Sequence, residues 1–236
     1  MKRLALVPAA LLAVAAAAVQ PSASSGRGLE QNPPAQPPAQ QQQQQQQRPP
    51  QPPLGPNEWR IDRSHSQANF SVRHNVVSTV RGQLGPIGGK IEYDGKDVRS
   101  IVVDVTIDVT GISTGNEGRD KDLRSEGFFD TAKFPAMTFK SKRIEPVANG
   151  KFKMVGDLTI RDQTKEVVLD VDGPSAVMKS QRGVLIGASG TTTINRRDFG
   201  ILYNRMIEAL PVVSDEVQVT IDLELNRPAL PGSTQP

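Results

Sequence analysis

Apolar and polar residues alternate with a period of two along most of the chain after residue 58. The clearest run is residues 101–110, in which five aliphatic residues share one face while Asp104, Thr106 and Asp108 occupy the other. Such alternation is typical of an antiparallel strand with one buried and one solvated face. The same pattern recurs in residues 58–63, 65–74, 91–93, 152–160, 167–171 and 217–225.

The pattern predicts an all-β protein of roughly eight strands, because the apolar runs are separated by short turns and no parallel crossover units interrupt them. A sandwich and a closed antiparallel barrel both fit this arrangement. Strands of this length favour a tall barrel, and a barrel of about eight strands has room inside for one ligand. Periodicity alone leaves both architectures open.

Residues 114–141 depart from the alternation. Glycines and charges crowd its first half, and four of the seven phenylalanines fall within its second half. We expect a short helix over residues 119–125, with Asn116 as its N-cap and Gly127 at its end. Arg124 lies four residues after Asp120, a spacing that suits a surface ion pair. The segment is either a lid over one end of a cavity or a plain strand-to-strand crossover.

The first quarter of the chain differs from the rest. Residues 1–18 combine Lys2 and Arg3 with an Ala/Leu/Val run that ends in small residues, which predicts a cleaved secretory signal peptide rather than a stable transmembrane anchor. Residues 19–57 are rich in proline and glutamine, and we expect a disordered, semi-extended spacer. Residues 228–236 are expected to form a flexible tail. The protein is therefore predicted to be periplasmic or secreted.

Charge and cysteine content exclude several classes of function. The formal charge of +3 comes from the leader and the spacer, so residues 58–227, the predicted barrel domain, are neutral. Without a basic stripe, nucleic-acid binding has no support. The chain contains no cysteine, which excludes disulfides, thiolate metal ligands and a thiol nucleophile.

Few residues carry recognisable chemistry. His65 and His74 differ in phase on one strand-like segment, so we predict no metal site and no cofactor. His74 shares the phase of Phe70 and is a candidate for ligand contact. Arg196 and Asp198 form a dense polar cluster that either holds a turn or contacts a polar head group. No catalytic triad, phosphate loop or dinucleotide fingerprint occurs.

The chain resembles the YceI-like family through short segments that follow the family's order across residues 58–227. These segments are W-R-I-D at 59–62, H-S at 65–66, F-S-V-R-H at 70–74, V-R-G at 80–82, T-G at 114–115, R-D at 119–120, L-R-S at 123–125, F-F-D at 128–130, F-P at 134–135, M-T-F at 137–139, G-D-L-T-I at 156–160, V-V-L at 167–169, N-R-R-D-F-G-I at 195–201 and V-S-D-E-V at 213–217.

The resemblance implies a lipocalin-like barrel, exported and often dimeric, that holds a long isoprenoid-type or other amphiphilic lipid; a polyprenyl or quinone tail is our leading expectation. We therefore expect a non-enzymatic lipid carrier, with an enzyme acting on such a lipid and a cell-envelope interaction module as alternatives. The pore candidates, which sequence does not separate from ordinary core, are Phe70, Val72, His74, Val103, Val105, Ile107, Phe128, Phe139, Phe152, Met154, Leu169 and Val219.

Overall fold

The computed structural model describes residues 53–228 except 76, 181–182, 204–205 and 208–209. The predicted signal peptide, most of the predicted spacer and residues 229–236 lie outside the described part. Within it, no helix is long and apolar enough to cross a membrane.

Strands make up most of the described chain. They are β1 Glu58–Ile61, β2 Gln67–His74, β3 Ser78–Gln83, β4 Ile87–Glu92, β5 Val102–Asp108, β6 Ala136–Pro146, β7 Lys151–Ile160, β8 Gln163–Asp172, β9 Met178–Ser180, β10 Gly183–Asn195, β11 Met206–Ile207, β12 Leu210–Pro211 and β13 Val213–Arg227. Helix α1 spans Glu117–Arg124, and short 3-10 turns span Val98–Ser100, Val109–Gly111 and Arg196–Phe199.

The main sheet closes on itself. β13 pairs with β10 on one side and with β2 and β1 on the other, and the ladder continues through β4, β5, β6, β7 and β8 back to β10. Every pairing is antiparallel. β11 and β12 form a separate two-stranded hairpin. The prediction of a closed antiparallel barrel is confirmed, and the sandwich is excluded.

Two of the eight barrel strands are interrupted. β1 and β2 both pair with β13, so together they act as one strand that is broken at residues 62–66. β3 pairs with β2 and β4 pairs with β1, so they form a second strand that is broken at residues 84–86. These breaks explain why eight barrel positions contain ten assigned strands.

We call the end of the barrel that carries the β4–β5, β6–β7 and β8–β9 connections the upper end. The opposite, lower end carries the β5–β6 crossover with α1 and the Arg196–Phe199 turn. Near the upper end, buried Trp59 donates its indole N–H to the Tyr93 carbonyl at 3.0 Å. This bond joins β1 to the residue that follows β4.

The observed helix confirms the helix-bearing crossover with small differences in its bounds. Asn116 is the N-cap and its side chain accepts from the Arg119 N–H, as predicted. The helix ends at Arg124, before Gly127, because the Ser125 N–H and hydroxyl both turn back to the Asp122 carbonyl.

Candidate functional site

An apolar cavity of about 140 Å³ lies between the inward faces of the barrel strands, and we call it the upper chamber. It exists because the alternating strands direct their aliphatic and aromatic side chains inward. Eight of the predicted pore residues line it: Val103, Val105, Ile107, Phe139, Phe152, Met154, Leu169 and Val219.

A second apolar cavity of about 70 Å³, the lower chamber, lies towards the lower end. The remaining apolar candidates Phe70, Val72 and Phe128 line this chamber, and Val219 borders both. Leu123 and Phe129 of the crossover also line it. The crossover therefore contributes side chains to the wall of the cavity at its lower end. The sequence had left two alternatives for this segment, a lid over one end of a cavity and a plain strand-to-strand crossover.

Several lining residues were missed by sequence reasoning. Met137 is in phase with Phe139 on β6, so the alternation could have identified it. Leu84 lies in the break between β3 and β4, where the two-residue period fails and gives no signal. Pro174 comes from the loop after β8, and Tyr93 from the end of β4.

The upper chamber offers a ligand almost no polar partner. Among its described lining residues, side-chain hydroxyls come from Tyr93 and Thr192, and the rest are aliphatic, aromatic, methionine, proline or glycine. Burial raises the pKa of the Tyr93 phenol above its ordinary value, so this group stays neutral at physiological pH. An uncharged, apolar interior of this kind fits a hydrocarbon chain rather than a polar metabolite.

Arg196 borders the lower chamber, but its donors are directed at the protein. A guanidinium has five N–H groups, and five hydrogen bonds are formed here. The acceptors are the carbonyls of Ile201, Tyr203, Val213 and Ser214 and the carboxylate of Asp215. Burial lowers the Arg196 pKa, and Asp215 opposes that shift.

This network favours the turn-holding interpretation of Arg196 over a head-group contact, because no N–H remains free for a ligand. Its ionic partner is Asp215 at 2.7 Å rather than the sequence neighbour Asp198, which is exposed and lines neither chamber.

The two histidines are also outside the cavity. His74 is half-buried at the end of β2, paired with Ser78 and Val213, and lines neither chamber. His65 is exposed, and its Nδ1 lies 3.3 Å from Asp62 and 3.7 Å from Glu224. These contacts connect the break after β1 to β13 at the outer surface, away from both chambers.

Asp120 connects α1 by hydrogen bonds to the segment that precedes the helix. Its buried carboxylate accepts hydrogen bonds from the Thr114 hydroxyl and N–H and from the Ser113 hydroxyl. Arg124 donates to the carbonyls of Thr110 and Ile112. The spacing of Asp120 and Arg124 suits a surface ion pair, but in the structure both side chains bind the segment that precedes the helix.

These bonds make the stability of the crossover depend on pH. The Thr114 hydroxyl bond, helped by the other donors and by Arg124, lowers the pKa of Asp120 in the folded state. The resulting stabilisation is full above the unfolded pKa of about 4 and is lost as the pH falls through the lower folded value. We expect Asp120→Asn to lower the free energy of unfolding at pH 7 and to make little difference in strong acid.

Urea titrations of both proteins between pH 7 and pH 2 measure this dependence. Asp122→Asn, on the exposed face of the same helix, is the control and should leave the curve of wild type unchanged. A constant difference between wild type and Asp120→Asn at every pH would rule out the ionic contribution.

Comparisons with known proteins agree with this architecture. A UPF0312 protein of Vibrio parahaemolyticus is 30% identical over 177 residues, which are 73% of this chain and 89% of the relative. The crystal structure of a Campylobacter jejuni YCEI protein is 32% identical with a TM-score of 0.57, covering 66% of this chain and 90% of that one.

A third similar protein is a polyisoprenoid binding domain from Saccharophagus degradans, with a TM-score of 0.54 over 72% of this chain and 98% of that one. At 19% identity it shows a shared fold alone. The family model described as the YceI-like domain matches residues 59–225, nearly the whole barrel. The chain belongs to the YceI-like domain family.

Proposed function

We propose that the barrel binds the apolar chain of an isoprenoid-type or other amphiphilic lipid and serves as a non-enzymatic carrier or reservoir for it outside the cytoplasm. The observation that carries the proposal is the interior itself, in which two apolar chambers follow one another along the barrel with almost no polar group facing them. Each methylene transferred from water into such an interior contributes roughly 0.8 kcal/mol, so binding needs no charged clamp.

The size of the chambers favours a thin, flexible chain. An apolar cavity of about 150 Å³ takes up one benzene ring, and the upper chamber is of similar size at about 140 Å³. A longer chain therefore has to displace lining side chains. Met137 and Met154 line the chamber, and unbranched, flexible methionines adapt to such shape changes at low cost.

Similar proteins support the class of ligand. The Saccharophagus degradans domain, described as polyisoprenoid binding, has the same fold. The resemblance to the YceI-like family points to the same chemistry, with a quinone tail as one form of it. Export is supported by the signal-like residues 1–18, and cell fractionation of the full chain tests it.

The polar candidate residues do not form a reactive site in the barrel interior. His74 and Asp198 line neither chamber, and the donors of Arg196 are all engaged by protein acceptors. Among the residues that the structure describes, the polar side chains that an enzyme would need are not gathered around the space where the lipid chain would lie.

A substitution that fills the upper chamber tests the proposal. Ala188 lines this chamber from β10, so Ala188→Leu adds three carbons inside it. We expect the affinity for geranylgeraniol to fall by roughly tenfold or more, because the excluded part of the chain loses its burial. Competition against a fluorescent apolar probe measures the change.

Thr191→Leu is the matched control, since Thr191 lies on the same strand with its side chain exposed. Its affinity should equal that of the wild type. Unchanged binding in Ala188→Leu, with the folded state verified by thermal unfolding, would place the ligand elsewhere.

A further inference from the structure

Three buried side chains separate the two chambers. Leu84, Met137 and Val219 line both the upper and the lower chamber. Their exposed fractions are 3%, 3% and 8%. They come from different strand positions around the barrel and lie where the two chambers meet, and we call them the collar.

The backbone places each collar residue. Leu84 follows β3, and its N–H donates to the Ala68 carbonyl at 2.8 Å. Gly85 turns the chain after it with a φ of +139°, and a side chain there would collide with the Asp108 carbonyl. Met137 lies opposite Ile107 on β5, and Val219 lies opposite Phe70 on β2.

The collar residues differ in how easily they move. Val219 is β-branched and therefore restricted at χ1, whereas Met137 has three rotatable bonds and an unbranched chain. Of the three, Leu84 has two rotatable side-chain bonds, so Met137 is the collar residue with the most freedom to move aside. Beyond the collar, Leu123, Phe128 and Phe129 of the crossover line the lower chamber, which is half the size of the upper one.

We propose that the collar makes the barrel selective for the length of the lipid chain. A short chain occupies the upper chamber once its other lining side chains have shifted, whereas a long chain also displaces Met137, passes the collar and gains further burial in the lower chamber. The inference rests on the proposed function, because it assumes that the chambers hold an apolar chain. It assigns Met137 as the residue that determines specificity.

The test compares a short and a long prenol on the same protein. Wild type, Met137→Phe and Met137→Ala are each loaded with an equimolar mixture of farnesol and solanesol, washed and extracted, and the retained ratio is measured by mass spectrometry. Burial of even two extra carbons corresponds to roughly tenfold in affinity. We expect Met137→Phe to lower the solanesol-to-farnesol ratio by about tenfold and Met137→Ala to raise it.

Met154 provides the matched control, since it is a buried methionine that lines the upper chamber but not the lower one. Met154→Phe and Met154→Ala should change the retention of both prenols together and leave the ratio within about twofold of wild type. A ratio is independent of how much of each variant is folded, so partial unfolding does not imitate the effect.

The two hypotheses fail in different ways. Binding of neither prenol by the wild type would refute lipid binding itself. Binding of both prenols with the same ratio in the Met137 and Met154 variants would refute the collar and leave lipid binding standing.

Discussion

Arg196→Ala should destabilise the barrel by about 3 kcal/mol. The guanidinium is 4% exposed and donates to four carbonyls and the Asp215 carboxylate at the lower end. Its removal leaves those acceptors without their donor, and breaking a buried charge-assisted network typically costs several kcal/mol. Chemical denaturation at pH 7 gives the value.

Arg197→Ala is the natural comparison. Arg197 is next in the sequence and also approaches Asp215, but at 3.7 Å and with a side chain that is 49% exposed. An exposed pair of this kind contributes less than about 1 kcal/mol. Equal losses in the two variants would show that the Arg196 network does not hold the lower end together.

Gly85→Ala should lower the free energy of unfolding by about 4 kcal/mol. The backbone φ of +139° is one that residues with a side chain rarely adopt, and the Cβ of an alanine there would collide with the Asp108 carbonyl oxygen. Strain of this kind and overpacking each cost about 1–3 kcal/mol. Because Gly85 positions Leu84, the same change should also shift the retained solanesol-to-farnesol ratio away from the wild-type value.

Gly95→Ala separates strain from collision. Gly95 also has a positive φ, of +82°, but nothing lies within 4 Å of its added Cβ. In this control variant, the free energy of unfolding should fall by only about 1 kcal/mol. If both glycine variants unfold at the same denaturant concentration, the close approach of the Asp108 carbonyl has no energetic consequence.

The fold was largely predictable because strand periodicity is a local signal. The aliphatic face of residues 101–109 became the inward face of β5 and of the residues at its ends. The choice of barrel over sandwich depended on the pairing of β13 with β10, which closes the sheet and which, like the β13–β2 pairing, is not visible in any local pattern.

The site was predictable in its chemistry but not in its arrangement. Inward phase alone placed Val105 and Phe70 in one group, whereas the structure puts them in different chambers. Arg196 was singled out as a polar residue at a strand end, but its partner Asp215 is reached only through the β10–β13 register. Leu84 was missed because it lies where the strand is broken.

The most direct test of lipid binding is the identification of what the barrel holds when it is purified. The full chain, expressed in cells with their own membranes and isolated without detergent, is extracted into organic solvent and analysed by mass spectrometry. We predict an isoprenoid-type lipid in amounts approaching equimolar with the protein, and much less in Ala188→Leu. Repeatedly empty barrels, or equal lipid in both proteins, would contradict the account.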